Sequence, residues 1–176
     1  AELWFRRAAE AGHDFSQYAL GKLLQGQKRM EEAVSWYEKA VAKGNSYAAY
    51  RLGKLYLEGK DISKDTAKAV EYLTNAAQEG NQYAQYTLGK LYLTGEDVAR
   101  NREQAYRWFW ESASQGNEYA QFFLKHFHDN HSPNVLLSAT KLLHHLGQIF
   151  QDNSVPPAAP AGHGVDRKLL RKIRAK

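Results

Sequence analysis

The amino-acid sequence predicts an all-α fold: an α/α superhelical solenoid of helix–loop–helix repeats with a C-terminal capping helix. Two observations predict it. Apolar residues recur at i, i+3, i+4 and i+7 through most of the chain, which is the spacing of amphipathic helices, and one block of sequence returns at a nearly fixed period, as in stacked helical repeats. The composition agrees, because the 176 residues are 43% hydrophobic and include only 4 prolines, as expected of a folded chain.

The repeated block is clearest at residues 44–57, and it returns 36 residues later at residues 80–93. A diverging copy begins at Gly116, and an earlier one begins at Gly12, 32 residues before Gly44. A single helical hairpin cannot bury its apolar face, whereas stacked neighbours bury a continuous core. We therefore expect a repeat domain at residues 1–130, with an orphan second helix at residues 1–11 and units that start near residues 12, 44, 80 and 116.

Each unit combines a glycine inside its first helix with an aromatic or apolar pair in its second helix. The glycines are Gly21, Gly53 and Gly89, and the pairs are Trp4-Phe5, Trp36-Tyr37, Tyr72-Leu73 and Trp108-Phe109. Glycine inside a helix costs about 1 kcal/mol relative to alanine, so we expect the partner helix to approach closely there. The helical phase of the pairs places them in the core. The same spacing predicts helix ends at Gly59 and Gly95 and N-caps at Asp65 and Asn101.

Residues 12–130 resemble the Sel-one-like repeat family, a relative of the tetratricopeptide repeat that builds α/α solenoids. The family pattern is met by Ala48, Leu52-Gly53, Tyr56, Gly59, Ala69, Tyr72 and Ala76-Ala77-Gly80, and again by Ala84, Leu88-Gly89, Tyr92, Gly95, Ala105, Trp108 and Gly116. The last unit departs from it, because Lys125 replaces the helix glycine and His128 replaces the tyrosine. The resemblance implies a solenoid whose first helices line a concave face.

The remainder of the chain is expected to divide into three parts. Residues 131–151 have the apolar spacing of the capping helix, residues 152–164 form a linker rich in Pro, Ala and Gly, and residues 165–176 form a basic tail. We expect the native chain to continue beyond this tail. We also expect further repeats or another domain before Ala1, because the sequence starts inside the pattern of a second helix.

The basic tail accounts for the whole net charge. The chain holds 24 Lys and Arg against 19 Asp and Glu, whereas residues 1–165 hold 18 of each. Affinity for nucleic acid depends on the phosphates that Lys and Arg meet, so only the tail is expected to contact it. The candidate contacts are Arg167, Lys168, Arg171, Lys172 and Arg174. Residues 142–150, together with the linker and tail, also resemble the C-terminal region of relaxases from mobile elements of Gram-positive gut bacteria.

Several function classes are not favoured. The chain has no cysteine, which excludes disulfides, thiolate metal sites and cysteine nucleophiles. His126 and His128 lie two residues apart rather than at the i, i+4 spacing of a helical metal pair. We predict no catalytic, metal or cofactor-binding residues. No signal peptide and no membrane-spanning run of about 20 apolar residues is visible, so we expect a cytoplasmic rather than a secreted protein, and one that does not bind membranes. We also expect a monomer.

One stripe of the first helices does not fit the predicted core. On a helical wheel of about 100° per residue, Tyr50 and Lys54 fall roughly opposite Leu52. The corresponding stripe of all units gives the candidate protein-binding residues: Tyr18, Lys22, Tyr47, Tyr50, Lys54, Tyr83, Tyr86, Lys90 and Phe122. One alternative stays open, in which these aromatic side chains pack against neighbouring first helices and the lysines serve only solubility.

These observations favour a non-catalytic scaffold that holds a partner protein or peptide in the concave groove of the solenoid. A second hypothesis is an accessory C-terminal region of a DNA-mobilisation protein of the relaxase type, in which the basic tail contacts nucleic acid. A third, less favoured hypothesis is an enzyme whose site has no recognisable motif.

Overall fold

The computed structural model describes residues 2–126 and Ser138, and the first of these ranges folds into eight helices. The helices are α1 (Glu2–Glu10), α2 (Asp14–Gly26), α3 (Met30–Val41), α4 (Ser46–Glu58), α5 (Thr66–Gln78), α6 (Gln82–Thr94), α7 (Arg102–Ser114) and α8 (Glu118–His126). No strand occurs among the described residues. The predicted capping helix at residues 131–151, the linker and the basic tail lie outside them.

Consecutive helices pair into hairpins, and the hairpins follow one another along the chain. Helices α2 and α3, α4 and α5, and α6 and α7 pair most extensively, and each hairpin also contacts the next through its second helix. We call α2, α4, α6 and α8 the first helices and α1, α3, α5 and α7 the second helices. This arrangement confirms the predicted all-α repeat solenoid.

Asparagine side chains start the last three first helices in the same way. Asn45, Asn81 and Asn117 are all buried, and their side-chain oxygens accept hydrogen bonds from the backbone N–H three residues on, at 3.0–3.1 Å. Such an N-cap contributes about 1 kcal/mol to helix stability. Asp65 and Asn101 cap α5 and α7 in the same manner, as the sequence predicts.

The two predicted helix-ending glycines adopt a backbone conformation that other residues avoid. Gly59 has φ 62° and Gly95 has φ 71°, both in the left-handed region. A Cβ atom at Gly59 would also lie 2.6 Å from the Cβ of Lys64, and one at Gly95 would lie 2.7 Å from the Cβ of Arg100. Glycine is therefore required at both positions, because it alone combines this conformation with the space available.

The interior glycines of the first helices each receive a side chain from the second helix. A Cβ atom on Gly21 would lie 2.7 Å from Cδ1 of Tyr37, one on Gly53 would lie 2.6 Å from Cγ of Leu73, and one on Gly89 would lie 2.8 Å from Cδ1 of Phe109. The three inserted side chains are fully buried. The predicted close approach of the two helices is thus confirmed.

The core expected from the aromatic pairs is present in the inner units but not in α1. Trp36 is only 8% exposed, whereas Trp4, its counterpart in α1, is 72% exposed. The sequence-based placement of Trp4 in the core was therefore wrong for the described part of the chain. The physical reason is that α3, which carries Trp36, packs between α2 and α4, whereas α1 is the first described helix and packs mainly on α2.

An ion-pair cluster joins α1 to the start of α3. Arg6 and Arg29 each contact both Glu2 and Glu32 at 2.7–3.4 Å. Hydrogen bonds from Arg6, Gln27 and Arg29 lower the pKa of Glu2 to about 2. Because this cluster is open to solvent, its ion pairs contribute little to the free energy of unfolding. Their main effect is to hold α1 in its orientation beside the start of α3.

We predict that G53A destabilises the protein, because the added methyl group overlaps Leu73 and overpacking of this kind costs about 1–3 kcal/mol. The matched control is G26A, since Gly26 also lies in a first helix but has open space around its Cα. Chemical denaturation should show a lower midpoint for G53A and an unchanged or higher one for G26A. Equal stability of the two variants would contradict the proposed role of the glycine.

Candidate protein-binding surface

The accessible stripe of the first helices forms one surface, which we call the first-helix surface. Its members share the spacing i, i+3 and i+7 within each helix. They are Phe15, Tyr18 and Lys22 on α2; Tyr47, Tyr50 and Lys54 on α4; Tyr83, Tyr86 and Lys90 on α6; and Tyr119, Phe122 and His126 on α8. Only Phe15, Tyr119 and His126 are additions to the predicted set.

Tyrosine side chains join each first helix to the next. The ring centroids of Tyr18 and Tyr47 lie 6.2 Å apart, those of Tyr50 and Tyr83 lie 6.0 Å apart, and those of Tyr86 and Tyr119 lie 6.0 Å apart. We call these six residues the tyrosine ladder. Tilted aromatic pairs at this separation contribute roughly 0.5–1.5 kcal/mol beyond the area they bury. The ladder therefore fixes how neighbouring first helices lie side by side.

The two tyrosines differ in exposure in the first two rungs, whereas Tyr86 and Tyr119 of the third rung are both half-buried. Tyr47 and Tyr83 are both 49% exposed, whereas Tyr18, Tyr50 and Tyr86 are half-buried against the apolar cores. The helical wheel placed Tyr50 opposite the core, and this placement was incomplete. The wheel considers one helix in isolation, whereas the neighbouring hairpin covers part of the ring.

The lysines of the surface have different surroundings. Lys22 is exposed, the Nζ of Lys54 lies 3.3 Å from a carboxylate oxygen of Glu58, and the Nζ of Lys90 lies 4.9 Å from the ring centroid of Tyr86. His126 stands 36 residues after Lys90 and continues this row. The predicted residue Phe122 is half-buried, and its ring centroid lies 4.6 Å from that of His126.

The sequence analysis missed Arg51, which lies one turn after Tyr47 on α4 and is half-buried. Its charge acts on Tyr37, the side chain inserted against Gly21. Burial raises the pKa of the Tyr37 hydroxyl to about 12, and the positive charge of Arg51 opposes that rise. The sequence did mark Arg51 as an exception to the repeat. The corresponding positions of the other first helices hold Ala19, Thr87 and Phe123.

The described residues contain no cluster of three or more His, Cys, Asp or Glu side chains that could hold a metal ion. Among them, no helix is both long and apolar enough to cross a bilayer. The predicted nucleic-acid contacts of the tail, Arg167, Lys168, Arg171, Lys172 and Arg174, lie outside the described residues.

The paired helices and their repeated glycine contacts define a helical-repeat protein. A family model of the Sel1 repeat matches residues 1–13, 14–45, 46–81 and 82–117. The chain belongs to the Sel1 repeat family. Repeats of this kind commonly mediate protein–protein interaction, and the family is generally non-catalytic.

Solved structures share this architecture. A Sel1 repeat protein from Oxalobacter formigenes is 28% identical over 70% of this chain, with a TM-score of 0.65. A protective antigen of uropathogenic Escherichia coli with an SLR fold is 35% identical over 69%, with a TM-score of 0.64. Cysteine-rich protein B of Helicobacter pylori is 25% identical over 67%, with a TM-score of 0.55.

These relatives differ in length from the present chain. The match spans 52% of the Oxalobacter protein, 27% of the Escherichia coli antigen and 87% of the Helicobacter protein. A comparison with curated proteins gives no match. The comparisons therefore establish the family and the fold.

Tyr86 and Tyr83 both lie on α6 but differ in burial, so they test which tyrosines of the ladder stabilise the fold. We predict that Y86A lowers the stability by about 2 kcal/mol, because truncation of a buried aromatic side chain costs about 3–5 kcal/mol and Tyr86 is half-buried among Phe109, Tyr119 and Phe123. Y83A should cost less than about 1 kcal/mol, since half of that ring is already in solvent. Thermal melts compare the two variants, and an equal loss would contradict the assigned difference in burial.

Proposed function

We propose that this protein is a non-catalytic scaffold that binds an extended or helical segment of a partner protein on the first-helix surface. The observation that carries the proposal is the repeated pairing of a half-exposed tyrosine with a lysine two turns along the same helix. Tyr47 with Lys54 and Tyr83 with Lys90 present the same side chains 36 residues apart.

The chemistry of these side chains suits protein recognition. Tyrosine is enriched at interfaces, and aromatic anchors commonly contribute the largest shares of binding free energy. A tyrosine that is already held by its neighbour loses little rotational freedom when a partner covers it. Tyr47 and Tyr83 meet this condition, because each is in ring contact with the half-buried tyrosine of the preceding first helix.

The lysines add charge complementarity towards an acidic partner. Exposed charges mainly increase the rate of encounter and exclude like-charged partners. Lys22, Lys54 and Lys90 occupy equivalent positions of three consecutive first helices, and Lys54 also lies 3.3 Å from Glu58. The proposed partner segment is therefore neutral to acidic.

We predict that the triple charge reversal K22E/K54E/K90E leaves the protein folded and lowers its affinity for selected peptides at least tenfold. Surface substitutions usually change stability by less than about 0.5 kcal/mol each, whereas reversed charge repels an acidic partner. The probe is a set of peptides that is selected against the wild-type protein from a displayed random library and then measured by fluorescence polarisation.

The matched control is K43E/K60E/K125E, which carries the same change of charge at exposed positions outside the first-helix surface. It should bind the selected peptides with about the affinity of the wild-type protein. The proposal would be overturned if K22E/K54E/K90E folds and still binds the peptides with full affinity. It would also be overturned if the two triple variants lose the same peptide affinity.

The charge distribution supports a second candidate function, contact of the tail with nucleic acid. The net charge of +5 lies entirely in residues 166–176, and affinity for DNA depends on phosphate contacts by Lys and Arg. We predict that the full chain binds duplex DNA weakly at physiological salt and that a chain ending at residue 164 does not bind it. Full, steeply salt-dependent binding by the shortened chain, measured by fluorescence anisotropy, would contradict this candidate.

A further inference from the structure

Three exposed aromatic rings lie at equivalent positions of consecutive first helices. Phe15 on α2 is 68% exposed, and Tyr47 on α4 and Tyr83 on α6 are each 49% exposed. We call these three residues the aromatic row. Single exposed aromatic side chains are common on protein surfaces, whereas this row returns with the repeat itself. The row therefore offers a partner the same contact three times in succession.

The packing of the first helices sets the spacing of the aromatic row. The ring of Tyr47 lies 6.2 Å from that of Tyr18, and the ring of Tyr83 lies 6.0 Å from that of Tyr50, so each is held by the preceding first helix. Neighbouring packed helices lie about 8–10 Å apart. A partner that crosses the first helices therefore meets a ring about every 9 Å.

Backbone conformations differ in the distance at which a side chain returns to the same face. In an extended strand this distance is two residues, or about 6.6 Å. In a polyproline II helix it is three residues, or about 9.3 Å. An α-helix returns after one turn of about 5.4 Å and after two turns of about 10.8 Å. The spacing therefore excludes a strand and favours a polyproline II helix, and the shape of the surface separates the latter from an α-helix.

The surface at the end of the row is shaped for a narrow ligand. An open pocket of about 210 Å³ lies beside Tyr83, between the N-terminal ends of α6 and α8. Its lining residues are Gln82, Tyr83, Gly116, Asn117, Glu118 and Tyr119. A proline ring fits a pocket of this volume, whereas an α-helix with its side chains is about 10–12 Å wide and would only cover the opening.

The tyrosine hydroxyls of the row add a second reason. A tyrosine hydroxyl can donate a hydrogen bond to a carbonyl oxygen. The carbonyl groups of a polyproline II segment make no internal hydrogen bonds, whereas those of an α-helix are already used within the helix. Tyr47 and Tyr83 can therefore combine ring contact with hydrogen bonding to a polyproline II partner.

We propose that the partner segment binds as a polyproline II helix whose prolines, at every third residue, pack on Phe15, Tyr47 and Tyr83. This inference rests on the proposed function and specifies the conformation and the sequence pattern of the bound segment. Such a segment is already extended and stiff, so it loses little conformational entropy when it docks on aromatic rings. Lys22 and Lys54 stand two turns after Phe15 and Tyr47, so an acidic residue between the prolines complements them.

The test measures peptide binding to the full chain by fluorescence polarisation. The first probe is a labelled ten-residue peptide in which Pro-Glu-Ala is repeated three times and followed by proline. The second has the same composition with its prolines moved out of the three-residue period. The third has alanine in place of every proline, which permits a helix. Dissociation constants are measured with wild-type protein, Y47A/Y83A, Y47F/Y83F and, as a control, W110A, which removes an exposed ring from α7.

We expect the periodic peptide to bind wild-type protein at least tenfold more tightly than either of the other peptides. Y47A/Y83A should weaken the periodic peptide at least tenfold, because aromatic anchors contribute large shares of binding free energy. Y47F/Y83F keeps both rings and should weaken it less, and W110A should leave its affinity unchanged. If Y47A/Y83A does not fold, F15A takes its place, since Phe15 is 68% exposed, and should weaken the periodic peptide at least threefold.

Two kinds of failure are distinguishable. The polyproline II inference would be overturned if the rearranged or alanine peptide binds as tightly as the periodic one, or if the ring-removing variants keep full affinity. It would also be overturned if library-selected peptides lack the proline period but are weakened by K22E/K54E/K90E, and the proposed function would then stand. Library-selected peptides that the triple lysine variant still binds fully would overturn the proposed function and this inference together.

Discussion

The rest of the structure depends on the contact in which a second-helix side chain presses against a glycine of the first helix. Tyr37, Leu73 and Phe109 lie so close to Gly21, Gly53 and Gly89 that a methyl group at any of these glycines would overlap them. Glycine in a helix interior costs about 1 kcal/mol, and full burial of a large side chain offsets this with about 1.5–3 kcal/mol. The same contact in each unit repeats the same hairpin geometry.

The first-helix surface is a consequence of that repetition. When hairpins of equal geometry stack, residues 36 positions apart in sequence take equivalent places, and the tyrosines of neighbouring first helices meet at 6.0–6.2 Å. In the first two pairs, one tyrosine is held against the core while the other, Tyr47 or Tyr83, is 49% exposed. At Tyr47 and Tyr83 the scaffold thus presents aromatic rings that are both held by a neighbouring ring and accessible to solvent.

The helix pairs, their caps and the role of the glycines could be predicted from the sequence, because each depends on local spacing or on the repeat. The half-burial of Tyr50 and Tyr86 could not, since a helical wheel contains no information about the adjacent hairpin. The exposure of Trp4 was missed for a related reason: the repeat predicts burial for a helix that has neighbours on both sides. Arg51 was visible as an exception to the repeat, but its influence on the pKa of Tyr37 depends on the packing of α3 beside α4, which the repeat pattern does not contain.

The most direct test of the central claim, that the first-helix surface is the binding surface, is a map of backbone amide chemical shifts on titration with a selected peptide. The account predicts the largest changes around Lys22, Arg51 and Tyr83, on three consecutive first helices. A competing surface lies on α7, where Trp110 is 55% exposed. Changes concentrated around Trp110, with the first helices unaffected, would contradict the account.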